Sequence, residues 1–446
     1  MCGIAGEIGS RRFVGYSDEM CRKMTRSLTH RGPDDEGYFT EMGDGYMVHL
    51  GMRRLSIIDR EGGQQPMGDT VKVVFNGEIY NHKEVRTYLE GYGIRFKTNC
   101  DTEVVTKGWE FEGRNIIKRL NGMFAFAVWE KDPGLVTLVR DRMGKKPLYY
   151  HLNKETGTLL FGSEIKAILE NPLYERRINH EAIYNYLCLQ YCPEPDTAFE
   201  GIECLPPGSY VMYEPGRSHI HKYAPYWELK PDQVEGVTPD NMVQRVRDTM
   251  RVAVSDRLES EVPLGVYLSG GVDSSIITGL VREAIGPDAE LHTFSMGFLE
   301  SNFNELPFAD AIAAQFHTDH HSEIVKQVCF RDMAERIANQ YDQPFGDCSA
   351  IPTMLMAERS KKYITVALSG DGGDECFGGY SRYWAADAHT GMEGYIPFMF
   401  VWPPRTRAGL MTPEFRRNVP GYASSAKWLL NHANKFKVRD TKNQMQ

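Results

Sequence analysis

Met1-Cys2-Gly3-Ile4-Ala5-Gly6 opens the chain, and its reading decides the fold of the first half. A small second residue permits removal of the initiator methionine, which exposes Cys2 as a new amino terminus. That residue then carries a thiol and a free α-amine on one short skeleton. An unperturbed α-amine has a pKa near ~8, so a neutral fraction is available to take the thiol's proton, directly or through a water. Nucleophile and base come in one residue, with no histidine required. Taken alone, a second-position cysteine is only the residue after the start codon; its weight comes from its surroundings.

Outward from that stretch, short apolar runs recur at 2–8, 46–50, 71–75, 123–129, 135–140, 148–150 and 159–161. Asp44-Gly45, Asn76-Gly77 and Pro133-Gly134 punctuate them as turns. This predicts layered antiparallel sheets with few long helices over roughly the first 215 residues. Residues 18–28 have helical spacing behind Ser17.

An enzyme that attacks the side-chain amide of free glutamine needs more than a thiolate. It needs a cation for the α-carboxylate, anions for the α-ammonium and donors for the tetrahedral oxyanion. Arg54, after a strand end, suits the first. Glu78 and Asp101, the latter in the polar loop Asn99-Cys100-Asp101-Thr102-Glu103, suit the second. The Asn76 amide and the Gly77 N–H suit the third. Each also has a plain reading, since Asn-Gly is a common hairpin turn and surface Arg or Asp is usually solvated. The loop Asp141-Arg142-Met143-Gly144-Lys145-Lys146-Pro147 lacks the glycine spacing and Ser/Thr of a phosphate loop and reads as structural.

At 446 residues the chain exceeds one core and predicts two domains, 1–215 and 216–446. With 41% hydrophobic and 25% charged residues and no membrane-length apolar run, it reads as soluble, with no membrane partner. No basic-then-apolar export pattern opens it, and its nine cysteines are scattered singletons, which fits a reducing, cytoplasmic setting. Cys188 and Cys192 read as core packing. A net charge of −9 argues against a nucleic-acid partner while leaving room for a small anion in a local pocket.

The second half changes period. Residues 238–258 read as an amphipathic helix capped by Thr238 or Asp240, with the domain boundary before it in 213–231. Strands at 264–268, 292–296 and 363–368 alternate with helices at 274–284, 307–316 and 351–361, which predicts a parallel α/β sheet. Leu268-Ser269-Gly270-Gly271-Val272-Asp273-Ser274-Ser275 follows the first strand and opens a helix. Such a turn aims backbone N–H groups at an anion, and glycine leaves the space a phosphate needs. Asp273 is ill suited to touch phosphate but suited to a Mg²⁺ that phosphates share. Ser369-Gly370-Asp371-Gly372-Gly373-Asp374-Glu375 follows another strand, so two loops should face each other at the carboxyl edge of the sheet. Asp374 is a candidate second metal ligand, and Asp371 a candidate for ordering an acceptor or for acid–base work. His317, His320 and His321 lack an accompanying cysteine or carboxylate pattern and read as an exposed strand edge.

Met1-Cys2-Gly3-Ile4, His30-Arg31-Gly32-Pro33-Asp34, Arg54-Leu55-Ser56, Phe75-Asn76-Gly77-Glu78-Ile79-Tyr80-Asn81 and Gly122-Met123-Phe124-Ala125-Phe126 together resemble the class II glutamine amidotransferase domain. That resemblance implies an α+β N-terminal-nucleophile sandwich, two antiparallel sheets between helices (αββα). It makes Cys2 the nucleophile and Asn76 with Gly77 the oxyanion hole. Arg54, Leu55, Ser56, Ile57, Ile58, Asn76, Gly77, Glu78 and Asp101 become the glutamine site, and 30–34 part of a loop over it.

The Ser-Gly-Gly-x-Asp-Ser-Ser segment resembles the pyrophosphate loop of ATP pyrophosphatases. The order of the two halves resembles glutamine-hydrolysing asparagine synthetases, a likeness extended by Val262-Pro263, Tyr341-Asp342-Gln343-Pro344-Phe345, Ala350-Ile351-Pro352-Thr353 and Phe377-Gly378-Gly379-Tyr380. It implies glutamine, aspartate and ATP as substrates, Mg²⁺ as cofactor, transfer through β-aspartyl-AMP, and leaves room for a homodimer. ATP would meet Tyr267, Leu268, Ser269, Gly270, Gly271, Asp273, Ser274, Met296, Ser369 and Gly370. Asp273 and Asp374 would hold the metal, and Asp371 would support acyl-adenylate formation. The relatives' Glu-x-Arg-x-Pro-Phe-Leu-Asp segment is not found after Tyr380; 396–404 is aromatic and Pro-rich, and 435–446 polar. The second domain is therefore expected to be C-terminally incomplete. Two alternatives stay open: another carboxylate acceptor, or a glutaminase with a vestigial second half.

Overall fold

Strand pairing is antiparallel in the first half of the chain and parallel in the second, and the chain divides into two compact units accordingly. The computed structural model describes residues 1–14, 17–215, 219–230, 236–300, 302, 304–325, 329–380, 383, 411–413 and 415. The stretches 396–404 and 435–446 lie outside them.

The first unit comprises Met1–Arg177 and Glu194–Glu261. Its strands are β1 (Gly3–Ser10), β2 (Asp35–Met42), β3 (Tyr46–Arg54), β4 (Val71–Ile79), β5 (Gly122–Glu130) and β6 (Leu135–Arg140), then β7 (Tyr149–Asn153), β8 (Thr158–Gly162), β9 (Glu203–Cys204), β10 (Ser209–Glu214) and β11 (His219–Pro225). They form a six-stranded sheet, β2-β3-β1-β8-β7-β9, and a five-stranded sheet, β11-β10-β6-β5-β4. Helices α1 (Glu19–Arg26), α2 (His82–Glu90), α3 (Asp101–Glu112) and α4 (Ile165–Leu169) complete the layers.

Three apolar layers result. Ile4, Val48, Val74, Ala127, Trp129 and Phe161 pack between the sheets. Val73, Phe75, Val105, Trp109 and Phe126 join the second sheet to α2 and α3. Ala5, Met24, Leu160 and Ile168 join the first sheet to α1 and α4. This is the αββα sandwich. Trp109 and Trp129 are almost fully buried, and truncating either to alanine would cost about 3–5 kcal/mol.

Two expectations need correction. Asn76-Gly77 is not a turn: it lies inside β4, with Asn76 opposite Ala125 and Gly77 opposite Phe124. Glycine is needed there because an added Cβ would fall 2.3 Å from the Met123 carbonyl oxygen. Asp101 is not in a loop but is the first residue of α3, after Cys100. That helix was not legible because Asp101–Val105 and Trp109 are buried nearly all round, which erases the one-sided apolar stripe.

Strand β11 and the segment to Glu261 stay with the first unit, and Ile178–Pro193, with α5 (His180–Leu189), joins the second. Helix α6 (Pro239–Ser255) starts with a reciprocal cap: the Thr238 hydroxyl accepts from the Asn241 N–H and the Asn241 side chain accepts from the Thr238 N–H.

In the second unit β12 (Leu264–Tyr267), β13 (His292–Phe298), β14 (Asp319–Val325) and β15 (Val366–Leu368) form a parallel sheet in the order β14-β13-β12-β15. Helices α7 (Val272–Ile285), α8 (Leu306–Gln315), α9 (Phe330–Tyr341), α10 (Ala350–Ser360) and α11 (Gly373–Phe377) connect or follow its strands. Among the described residues no helix is long and apolar enough to cross a membrane; none of the nine cysteines forms a disulfide, and Cys188 and Cys192 are buried.

Candidate active site

Cys2 lies just before β1 and lines a cleft with residues from both sheets of the first unit. The cleft is lined by Arg54, Leu55, Ile57, Ile58, Asn76, Gly77, Glu78 and Asp101, so eight of the nine residues expected to hold glutamine meet there. Ser56 sits beside them on the same segment, its N–H donating to Asp34 at 2.8 Å. The Leu55 N–H donates to the Cys2 sulfur at 3.4 Å, an interaction that favours thiolate. Burial nevertheless pushes the Cys2 thiol up, only partly countered by the terminal amine, the Leu55 N–H and Arg54. The α-amine at the chain start moves the opposite way, down to about 5, because burial penalises its charged form and Arg31 and Lys146 stand nearby.

The loop at 30–34 serves to hold Cys2. Arg31 donates from Nε to the Cys2 carbonyl at 2.9 Å and from a terminal nitrogen to Glu164 at 2.7 Å. Burial works to raise Glu164, but hydrogen bonds from His30 and Lys166 and the charge of Arg31 hold it down to about 2. An ionised Glu164 therefore fixes Arg31, and Arg31 fixes the backbone of Cys2.

Around Cys2 the polar groups are buried. Arg54 donates to the carbonyls of Ile58, Asp59 and Arg60, which shapes the loop after β3. Asp101 accepts from the Ile79 N–H at 3.0 Å, yet burial raises its carboxyl overall. Glu78 is pushed up to about 7 by burial and by the neighbouring Asp101, with Lys146 and Arg257 pulling it down. Two adjacent carboxyls strained in this way are a receptor for a cation such as an α-ammonium group. Asn76 is fully buried, and both polar atoms of its amide lack a hydrogen-bond partner among the described residues. A buried unsatisfied amide requires an explanation; on a cleft wall beside a thiol, this one is placed to donate to an oxygen of a bound ligand.

Several lining residues were not among those expected at the site. Met1, Gln65, Phe75, Cys100, Thr102, Met123 and Lys146 also face the cleft. Gln65 ties β4 to α3, accepting from the Phe75 N–H and donating to the Thr102 hydroxyl. The loop 141–147 is structural in that the buried Asp141 carboxylate accepts from the N–H groups of Phe124, Met143, Lys145 and Lys146. It also delivers Lys146 into the cleft, where burial lowers the ammonium to about 8. A basic loop residue had only its position in the fold to mark it.

In the second unit the two glycine loops come together. Gly271 caps α7, and Ser274 in the first helical turn bonds back to Ser269. Gly270 has φ +83, and a Cβ there would fall 2.5 Å from the Ala309 nitrogen. A Cβ on Gly370 would lie 2.8 Å from the Ser274 nitrogen, and one on Gly373 would lie 2.5 Å from the Asp273 carboxyl carbon. The loops after β12 and β15 thus touch at the carboxyl edge of the sheet. They gather Leu268, Ser269, Gly270, Gly271, Asp273 and Ser274 with Ser369, Gly370, Asp371 and Asp374. Asp371 accepts from the Ser369 hydroxyl at 2.8 Å. Tyr267 ends β12 with its hydroxyl 3.1 Å from Ser360. Met296 stands on β13, lining a cavity with Phe294, Glu323 and Arg359.

Family models separate the chain in the same order. One described as a glutamine amidotransferase domain matches residues 1–227, and one described as asparagine synthase matches 245–444. A putative glutamine-hydrolysing asparagine synthetase 2 of Methanocaldococcus jannaschii is 37% identical over 403 residues, covering 86% of this chain and 76% of the relative. Glutamine-hydrolysing asparagine synthetase 1 of Bacillus subtilis is 36% identical over 390 residues, covering 86% of this chain and 59% of its own length. A protein of Gibberella zeae named amidase chry2 is 31% identical over 440 residues, covering 92% of this chain and 63% of its own. With both family models matched in sequence and a relative at 37% identity matched over three quarters of its length, the chain belongs to the glutamine-hydrolysing asparagine synthetase family.

Proposed function

We propose that the chain transfers the side-chain nitrogen of glutamine to aspartate through β-aspartyl-AMP, yielding asparagine, glutamate, AMP and pyrophosphate. The observation that carries the reading is the Asn76 amide, buried and unpartnered on the wall of the Cys2 cleft. Removal of Met1 places the free amine on Cys2 itself and opens the space that Met1 lines. Burial raises the Cys2 thiol, so it starts neutral and needs a base for its proton. Sulfur attacks the amide carbon, the amine takes the thiol proton, and Asn76 with the Gly77 N–H receives the oxyanion. The amine passes that proton to the departing nitrogen, ammonia leaves, and water hydrolyses the thioester to glutamate.

At the glycine loops the aspartate β-carboxylate attacks the α-phosphorus of ATP and pyrophosphate leaves. Ammonia then attacks the acyl carbon and AMP leaves. The N–H groups at the start of α7 receive phosphate charge, and Asp273 and Asp374 supply the hard oxygen donors that Mg²⁺ takes. Such an ion would offset the charge of the phosphates. Asp371, which accepts from Ser369, orders the acceptor. A second reading keeps only amide hydrolysis, and the similarity to a protein named an amidase favours it.

Cys2→Ala separates the two. Glutamine hydrolysis should fall by about 10⁴-fold or more, while pyrophosphate release with ammonia, ATP and aspartate is kept. An unchanged glutaminase rate contradicts the site; aspartate-independent or absent pyrophosphate release in the unsubstituted protein contradicts the synthetase half.

A further inference from the structure

The opposite edge of the parallel sheet carries a cluster that none of this chemistry uses. His292 is the first residue of β13 and pairs in register with Asp319, the first residue of β14; His321 follows two positions on and points to the same face. The His292 Nδ1 lies 3.0 Å from an Asp319 carboxylate oxygen, the His321 Nε2 lies 3.3 Å from that same oxygen, and the two ring nitrogens are 3.3 Å apart. We propose that His292, Asp319 and His321 form a binding site for a borderline divalent cation of the zinc class.

Three atoms so arranged do not satisfy one another by hydrogen bonds. If both imidazoles donate to Asp319, two N–H groups confront each other across 3.3 Å. If one ring instead donates to the other, the accepting ring's lone pair faces the carboxylate, at 3.0 Å for His292 or 3.3 Å for His321. A cation at the centre accepts all three lone pairs. The spacing suits it, since ligand atoms bound tetrahedrally to one zinc ion lie about 3.3 Å apart. Two imidazoles with one carboxylate select zinc, nickel, cobalt or copper over magnesium and calcium. The rings are held in advance: His321 stacks on Phe294 at 5.0 Å and 17° and packs on Tyr363 at 4.2 Å. Outside the site, Glu290 stands 3.7 Å from the other nitrogen of His292, the place of a carboxylate that orients a liganding imidazole.

The expected exposed strand edge therefore holds a second feature. His320 turns to the other side, with its Nδ1 2.8 Å from the Thr293 hydroxyl, and His317 lies before the strand. The carboxylate and the second imidazole that the His320-His321 pair lacked in sequence come from Asp319 and, across the ladder, His292. Three protein ligands leave one coordination position to water.

The test is titration of the whole chain, stripped by chelator, with Co²⁺ and then Zn²⁺. One equivalent of Co²⁺ should give visible d–d absorption without a thiolate charge-transfer band, which Cys329, Cys348 or Cys376 would add as exposed competitors. His292→Asn with His321→Asn should weaken binding about a hundredfold, and Glu290→Gln about tenfold, with the glutaminase rate unchanged. His317→Asn should bind as the parent does. Absence of stoichiometric Co²⁺ binding in the parent overturns the proposal, as does a thiolate band. So does undiminished affinity in the doubly substituted chain, or in His321→Asn alone should the double variant fail to fold.

Discussion

The cleft around Cys2 and the glycine loops of the parallel sheet offer ligands two different kinds of surface. In the cleft the groups are side chains withdrawn from water: Arg54, Asn76, Glu78 and Asp101 are all buried, and burial is the largest influence on every shifted ionisation among them and Cys2. At the loops Ser269, Gly271 and Asp371 are exposed, and the recurring feature is backbone that side chains would obstruct. A buried site discriminates by leaving its own polar groups unsatisfied until the right ligand arrives. A loop site instead presents N–H groups and carboxylates to an anion that brings its own charge.

This difference is breakable by substitution. The largest effect is expected in the cleft: Asn76→Ala should lower kcat for glutamine hydrolysis by about 10²–10³-fold, because the oxyanion loses its side-chain donor. Steady-state kinetics that show a change in KM alone would make Asn76 a ground-state contact. At the loops Asp273→Asn should slow ATP-dependent pyrophosphate release on the order of a hundredfold and leave glutamine hydrolysis intact. Loss of both activities together would refute the separation.

Neighbouring glycines sharpen the comparison. Gly270→Ala should cost about 1–3 kcal/mol in denaturant unfolding, since it forces a Cβ onto a left-handed backbone against Ala309. Gly271→Ala has an ordinary backbone angle, φ −68, and its Cβ would meet only the Ser269 hydroxyl at 3.3 Å; it should cost less than about 1 kcal/mol. Equal losses would mean that the loop's conformation, as described, is not what selects glycine.

The smallest effect is in pH. Glu78 in the free cleft titrates near 7, raised by burial and Asp101. Its charged form is the one that binds an ammonium, so KM for glutamine should be flat above that value and rise as pH falls through it. The rise should approach about tenfold per pH unit, and Glu78→Gln should flatten it. A KM that rises on the alkaline side would reverse the assignment.

Legibility in the sequence followed the same divide. The loop after β12 declared itself because a backbone requirement is written as glycine, and the strand–glycine–helix order was enough to place it. The cleft residues were legible only as chemistry. Asn76-Gly77 looked like a turn because that dipeptide favours one, but pairing with β5 over the whole of β4 overrides the local preference. Asp101 looked like loop because the first turns of α3 are buried all round, polar residues included. Lys146 was invisible as a cleft residue, since Asp141 sets its direction through four backbone N–H groups. His292 and His321, 29 positions apart, become neighbours through strand register alone.

The central claim is that Cys2, bearing its own amine, is the nucleophile that takes nitrogen from glutamine. Reaction of the active protein with an electrophilic glutamine analogue, followed by mass measurement of the amino-terminal peptide, tests it directly. The account predicts a peptide that begins at Cys2 and carries one analogue on its sulfur; Met1 retained in fully active protein, or the label on another residue, would contradict it.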